Sequence, residues 1–250
     1  MKSSTSKQYI RYIELDRENV PSFSQYPFNL PAIRELQTLK FHPKVTFIIG
    51  ENGSGKSTIL EAIAVAYGFN AEGGTKNFNF SSRATHSVLN NYLKIVKGTR
   101  IPQTGFFLRA ESFYNLASNI DDLDKEFAGG PPLIDSYGGR SLHEQSHGES
   151  FFAVFLHKFS GKGIYILDEP EAALSPSRQM SMLTRMHELV KEDSQFIIAT
   201  HSPIIMAYPE AWIYEIKEGF AKVSYEETDH YQITRSFLNN TQKMLSILLE

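Results

Sequence analysis

Cysteine is absent from the 250 residues. That excludes disulfides and any zinc site built on thiolates, and it fits a reducing compartment, so a cytoplasmic protein is expected. Long apolar runs are also missing. None approaches the roughly 20 residues that a membrane-spanning helix needs. The first residues, MKSSTSKQYIRYIELD, lack the apolar core of a secretory leader. A strong charge of either sign is lacking too. The 25 Lys and Arg nearly balance the 28 Asp and Glu, leaving a net charge of -3. Bulk charge therefore points neither to nucleic acid nor to a membrane surface. There is no internal repeat and no heptad stretch long enough for a coiled coil. What remains is a chain long enough for a sizeable core, read as a single domain over residues 1–250.

What is present is a series of short apolar runs bounded by turn residues. YIRYIEL (9–15) alternates and suits a half-exposed strand. KVTFIIG (44–50), GFFLRA (105–110), GIYILDE (163–169), SQFIIAT (194–200) and AWIYEI (211–216) are more continuous, as strands buried on both faces of a parallel sheet should be. Helical patterns lie between them at 56–68, 149–159 and 175–192. This alternation predicts an α/β fold with crossover helices. A hairpin is expected over 215–227, turning at Glu218-Gly219. Residues 70–104 are polar and locally basic, with Lys76, Arg83, Lys94, Lys97 and Arg100 against Glu72 alone.

GENGSGKST (50–58) matches G-x-x-x-x-G-K-[ST], and it follows a predicted strand and opens a predicted helix. Glycine permits backbone angles that turn successive N–H groups inward, making an anion nest, and the helix N-terminus adds favourable potential. Gly50, Glu51, Asn52, Gly53, Ser54, Gly55, Lys56, Ser57 and Thr58 are thus the expected nucleotide-binding stretch. Lys56 is placed to reach the β- and γ-phosphates and the Ser57 hydroxyl to ligate Mg²⁺. Two carboxylates, Asp168 and Glu169, end the later apolar strand GIYILDEP. Paired acids there are costly without work or partners. In a P-loop protein the first, Asp168, joins the Mg²⁺ shell, and Glu169 is then placed to polarise the attacking water. A third strand ends in Thr200-His201-Ser202-Pro203. His201 at such an end can reach the γ-phosphate and the water; alone, it would read as a strand-capping His.

The order of these pieces, Gly50–Thr58, Ser146–Glu149, Asp168-Glu169 and His201, resembles ABC-type ATPases over residues 40 to 205. The resemblance implies a mostly parallel central sheet, an N-terminal antiparallel β part and a small helical subdomain at about 111–160. It implies ATP and Mg²⁺ as ligands and ATP hydrolysis as activity. DEPEAALS looks like the family's acidic strand end and D-loop, with Ser175 where Asp is usual. QSHGES gains a role: Ser146, Gly148 and Glu149 match a signature that contacts the γ-phosphate held by the other subunit of a head-to-tail dimer. His147 replaces the first signature Gly. Ser, Gly and a following apolar helix also form an anion-binding N-terminus, while Glu149 equally suits an ordinary helix cap. Where the family has its Q-loop Gln this chain has Glu111, which is either a carboxylate for Mg²⁺ or its water, or a helix-capping acid.

The Glu-ended signature and the GENGSGKST…LEAIA stretch resemble the SMC and RecF-like branch, which acts on DNA and in genome defence. Only about ninety residues separate Lys56 from Ser146, so the long coiled-coil arms of SMC proteins are missing. Three functions follow. The first is an ATP hydrolase closing into a homodimer on ATP, a motor or switch in DNA maintenance or defence. The second is a nucleotide-gated module with slow turnover, binding DNA or a separate effector protein through the basic segment 70–104. The third is the ATPase subunit of a membrane transporter, with no membrane segment of its own. Tyr9, Tyr12 and Phe23 are candidates for stacking on adenine, each also readable as a core or strand residue. The C-terminal RSFLNNTQKMLSILLE is expected to pack on the domain, because Leu245, Ile247, Leu248 and Leu249 are costly to leave in water.

Overall fold

The computed structural model describes residues 8–76, 87–111, 113–126, 132–144 and 147–249. Ser146 and Arg83, both named above, lie outside them. The elements in chain order are β1 (Ile10–Leu15), α1 (Pro31–Arg34), β2 (Thr38–Lys40), β3 (Val45–Gly50), α2 (Lys56–Tyr67), β4 (Leu93–Lys97), β5 (Thr104–Arg109) and α3 (Phe113–Glu126). They continue as α4 (His147–His157), β6 (Gly163–Asp168), α5 (Pro176–Lys191), β7 (Gln195–Ala199), α6 (Pro203–Met206), β8 (Trp212–Lys217), β9 (Gly219–Val223), α7 (Asp229–Asn239) and α8 (Thr241–Leu248).

The main sheet has the order β5-β6-β7-β3-β8-β9, with β9 antiparallel at its edge and the other strands parallel. The expected hairpin is there, with Gly219 at a φ of 108°. β3, β6 and β7 are buried at every position. Their side chains divide by parity between two cores, as a period-2 strand requires. Val45, Phe47, Ile49, Tyr165, Leu167, Phe196 and Ile198 face a layer that includes α3, α4 and α5. Ile48, Ile164, Ile166, Ile197 and Ala199 face α2 and a second, three-stranded antiparallel sheet, β2-β1-β4. The continuous apolar runs are explained by this two-sided burial. β4 falls within the polar stretch 70–104; it pairs with β1 while Lys94 and Lys97 remain exposed.

Register places the strand ends. Asp168 of β6 stands beside Ala199 of β7, which stands beside Ile48 of β3. The loops after all three strands therefore leave on one side of the sheet, where open α/β sheets hold their ligands.

The C-terminal helices depart from expectation. No residue of α7 or α8 is buried, and Ile233, Leu238, Leu245, Ile247, Leu248 and Leu249 are exposed. The chain enters them from the edge strand β9, no residue of which is buried. α8 packs mainly on α7, itself unburied, and so joins neither core.

Candidate functional site

The loop after β3 turns on glycine. Gly55 caps α2 in the left-handed region, with φ 99° and ψ 15°. A Cβ there would come within 3.1 Å of Ala32 and 3.2 Å of Leu30. Only glycine meets both conditions without strain. Lys56 is buried and bends back so that its Nζ donates to the carbonyl oxygens of Gly50 at 2.9 Å and Glu51 at 3.0 Å. Burial lowers its pKa, and Glu169, Asp168 and Glu171 oppose that shift.

The next residue reaches the acidic strand end: Ser57 Oγ donates to Asp168 Oδ1 at 3.1 Å. Two residues 111 positions apart, both named from sequence as Mg²⁺ ligands, are thus in contact. Burial pushes the Asp168 carboxyl up to about 7, although Arg109 and the Ser57 hydroxyl favour its charged form. One hydroxyl and one carboxylate, with phosphate oxygens to complete the shell, are a donor set that suits Mg²⁺. Among the described residues there is no cluster of three or more His, Asp or Glu that would hold a metal without the nucleotide.

Glu169 follows in a left-handed conformation, φ 51°, unusual for a non-glycine residue and costing about 1 kcal/mol or more. Its backbone N–H is held by Ala199 O at 3.0 Å, and its Oε1 lies 3.5 Å from His201 Nε2. His201 in turn is fixed from two sides. Its backbone N–H donates to Glu171, whose other oxygen accepts from Thr200 Oγ1 at 2.8 Å. Its Nδ1 lies 3.0 Å from His230 Nε2. Burial and the nearby Lys56 charge lower the His201 pKa, so the neutral ring is favoured. Ser202 then caps α6 and donates to Gln179 Oε1 at 2.6 Å, tying the segment to α5.

Several groups at the site were not named from sequence. Arg109, at the end of β5, donates to Glu61 at 2.7 Å and Glu111 at 3.0 Å and lies 3.6 Å from Asp168. Glu111 is therefore paired with Arg109, in the wall of a cleft of about 340 Å³ that Ser57, Thr58 and Glu61 also line. Glu171 and His230 complete the group. Glu171 lies inside DEPEAALS but at no position given a role there, and Arg109 ends a recognised strand; Glu61 and His230 carry no such signal.

Gly148 sits in the first turn of α4, where a Cβ would meet Ala173 O at 2.6 Å. Close packing against the Pro170–Ala173 turn thus demands glycine at this position within one subunit. Glu149 is in the same first turn, 4.0 Å from Arg178. Ser175, where the D-loop acid was expected, is the N-cap of α5 and accepts from Arg178 N–H at 3.4 Å, with Pro176 following at the first helical position. Tyr9 is excluded as an adenine platform: it is buried, and its hydroxyl donates to Asp193 O at 2.9 Å, before the start of β7 and away from the loop.

Comparison with known proteins bears on the fold. A family described as an AAA domain matches residues 18–112, and one described as an AAA ATPase domain matches residues 149–206. Among solved structures, the SMC head bound to the C-winged helix domain of ScpA superposes with a TM-score of 0.50 at 15% identity, covering 88% of this chain and 99% of that one. The chain has the fold of the ABC-type P-loop cassettes. The SMC head domain from Thermotoga maritima is similar at 17% identity and a TM-score of 0.44, covering 86% of this chain and 98% of that one. By sequence, the macrolide export ATP-binding/permease protein MacB of Hahella chejuensis is 24% identical over 207 residues. The match covers 72% of this chain and 29% of that relative, so the chain spans under a third of the relative's length. No helix among the described residues is long and apolar enough to cross a membrane.

Proposed function

We propose that this protein binds and hydrolyses ATP with Mg²⁺, as a head-to-tail dimer with two nucleotides sandwiched between subunits. The observation that carries the reading is the contact of Ser57 with Asp168 at 3.1 Å, beside a Glu169–His201 pair at 3.5 Å. Phosphate oxygens would take over the Lys56 ammonium from the Gly50 and Glu51 carbonyls. Ser57 and Asp168 would hold Mg²⁺, which neutralises charge on the phosphates. Glu169 would take the proton of the attacking water, and His201 would orient the Glu169 carboxylate and the water. Ser146, Gly148 and Glu149 of the second subunit would meet the γ-phosphate through the N-terminus of α4. Closure on ATP and opening after hydrolysis would time a partner's action, in DNA maintenance or genome defence.

The test is Glu169→Gln. It should retain ATP, lose hydrolysis by roughly a hundredfold or more, and run as a dimer on a sizing column when ATP is present. A variant that stays monomeric with ATP overturns the sandwich, and one that turns over ATP at the wild-type rate overturns the role of Glu169.

A second reading, a nucleotide-gated module that holds nucleic acid, is favoured by a basic cleft of about 710 Å³ lined by Lys76, Lys97, Lys158 and Arg100, the last paired with Asp193 at 2.9 Å. Lys76 and Lys97 lie 4.0 and 4.8 Å from the centre of the same Tyr67 ring. DNA affinity that falls with salt and with neutralisation of Lys76 and Lys97 would support it; affinity indifferent to both would exclude this cleft. A transporter role, suggested by the likeness to the export protein, predicts stable co-purification with a membrane protein.

A further inference from the structure

His230 belongs to no nucleotide-binding motif, yet it touches the side chain that orients the proposed base. It is the second residue of α7, whose first turn is fixed while the rest of the helix stands in solvent. Thr228, fully buried, caps the helix by accepting from Tyr231 N–H and donates to Tyr225 O at 2.8 Å. Glu227 closes a capping box on Ser224 just upstream. Asp229 lies 3.5 Å from Lys217 of β8, which is itself 3.0 Å from the buried Glu215. The same turn forms one wall of a cleft of about 680 Å³, opposite Gly50–Ser54 of the phosphate loop. This anchoring sets the His230 ring 3.0 Å from His201 Nδ1.

Proton placement along the row follows from the acceptor at its end. His201 Nε2 is buried without a hydrogen-bond partner in this structure and faces Glu169 Oε1 at 3.5 Å; a carboxylate oxygen accepts, so the tautomer with its hydrogen on Nε2 is the one that suits this facing. In the neutral ring Nδ1 is then an acceptor, and the hydrogen between the two rings comes from His230 Nε2. The opposite tautomer would turn a lone pair toward the carboxylate. Burial lowers the pKa of both rings, which suits two neutral imidazoles in contact.

We propose that His230 is a positioning residue, donating from Nε2 to His201 Nδ1 and so keeping the hydrogen on His201 Nε2, the nitrogen that faces Glu169. The inference rests on the reading that Glu169 and His201 act on the attacking water. It gives the C-terminal helices a mechanical link to hydrolysis: displacing the first turn of α7 would release the His201 tautomer.

Two variants test it. Glutamine at 230 carries an amide N–H₂ near the position of the ring Nε2, and alanine carries no donor. The first readout is the tautomer of His201, from ¹⁵N chemical shifts of its ring nitrogens in protein free of nucleotide and Mg²⁺. Wild type and His230→Gln should show protonated Nε2, and His230→Ala a mixture of tautomers. The second readout is the kinetics of ATP hydrolysis. His230→Ala should lose roughly ten- to a hundredfold in kcat with KM unchanged, by analogy with the loss when the partner that orients a metal-ligating His is removed, and His230→Gln should recover most of it. An unchanged His201 tautomer in His230→Ala overturns the proposal, as does a wild-type kcat in that variant. Glu169→Gln with full activity would sink the hydrolytic reading instead, and the tautomer measurement, made without ATP, stands apart from it.

Discussion

Ser57 Oγ and Asp168 Oδ1, 3.1 Å apart, join the first turn of the helix after the phosphate loop to the end of a strand two places away in the sheet. If both atoms serve Mg²⁺, removing either should weaken Mg·ATP specifically. Ser57→Ala and Asp168→Asn are each expected to cost roughly 1.5–3 kcal/mol, the value of a charge-assisted contact, or about ten- to a hundredfold in affinity. ATP binding in EDTA should change little, because Lys56 and the loop N–H groups remain. Nucleotide titrations with and without Mg²⁺ measure both; equal losses in the two conditions would remove Ser57 and Asp168 from the metal site.

The raised pKa of Asp168 has a consequence for stability in the metal-free protein. The folded value, about 7, lies above the roughly 3.9 of an unfolded aspartate. The folded state therefore holds this proton where the unfolded state has lost it. The contribution of Asp168 is fully present below about pH 4 and is lost as pH rises through about 7. In EDTA, the Tm difference between wild type and Asp168→Asn should move against wild type between pH 5 and pH 8. A difference that stays constant with pH would show that Arg109 and Ser57 keep the carboxylate charged throughout.

The phosphate loop and Asp168-Glu169 were legible because each is a local strand-to-turn pattern whose chemistry is written within nine residues or fewer. The sheet strands were legible for the same reason: burial on both faces leaves unbroken Val, Ile and Phe. Arg109 was not, since it meets Asp168 only through the register of β5 with β6, and Glu61, Glu171 and His230 were not, since each finds its partner (Arg109, Thr200 with His201, and His201) only once the chain has folded. β4 was hidden because an edge strand with exposed lysines looks like a polar loop. The C-terminal helices misled in the other direction: apolar content argues for burial only where the chain path brings the helix to a core, and α8 packs mainly on the unburied α7.

Gly148 makes a prediction independent of any dimer. Alanine ordinarily favours a helix over glycine by up to about 1 kcal/mol. Here its Cβ would lie 2.6 Å from Ala173 O, which is backbone and cannot swing aside. Gly148→Ala is expected to destabilise by roughly 1–3 kcal/mol, a Tm loss of several degrees for a chain of this size. A Tm at or above wild type would show that the Pro170–Ala173 turn yields, leaving a signature contact across subunits as the reason for glycine.

The exposed C-terminal leucines should be silent for folding. Leu248→Ser and Leu249→Ser are expected to shift monomer stability by less than about 0.5 kcal/mol, as surface substitutions do. Leu189→Ala, in the fully buried face of α5, should cost about 2–5 kcal/mol. Urea unfolding of the three variants in dilute protein checks the contrast. A loss above 1 kcal/mol at Leu248 would restore the packed tail expected from composition.

Arg109 is the one cation that touches Glu61, Glu111 and Asp168 together among the described residues, and its side chain is 18% exposed against 11% for Glu61. Breaking such a pair from one side leaves an uncompensated charge inside. Arg109→Met should therefore cost about 3–5 kcal/mol, lowering Tm by roughly 10 °C. Glu61→Gln in the same chain removes the stranded charge while its amide can still serve as acceptor to Ser87 N–H, the bond Glu61 makes at 3.0 Å. The double variant should then be more stable than Arg109→Met alone, and a double-mutant cycle should give a coupling above about 1 kcal/mol. Additive losses would mean that Arg109 spends its charge on Asp168 rather than on Glu61, and Mg·ATP affinity in Arg109→Met would then fall along with stability.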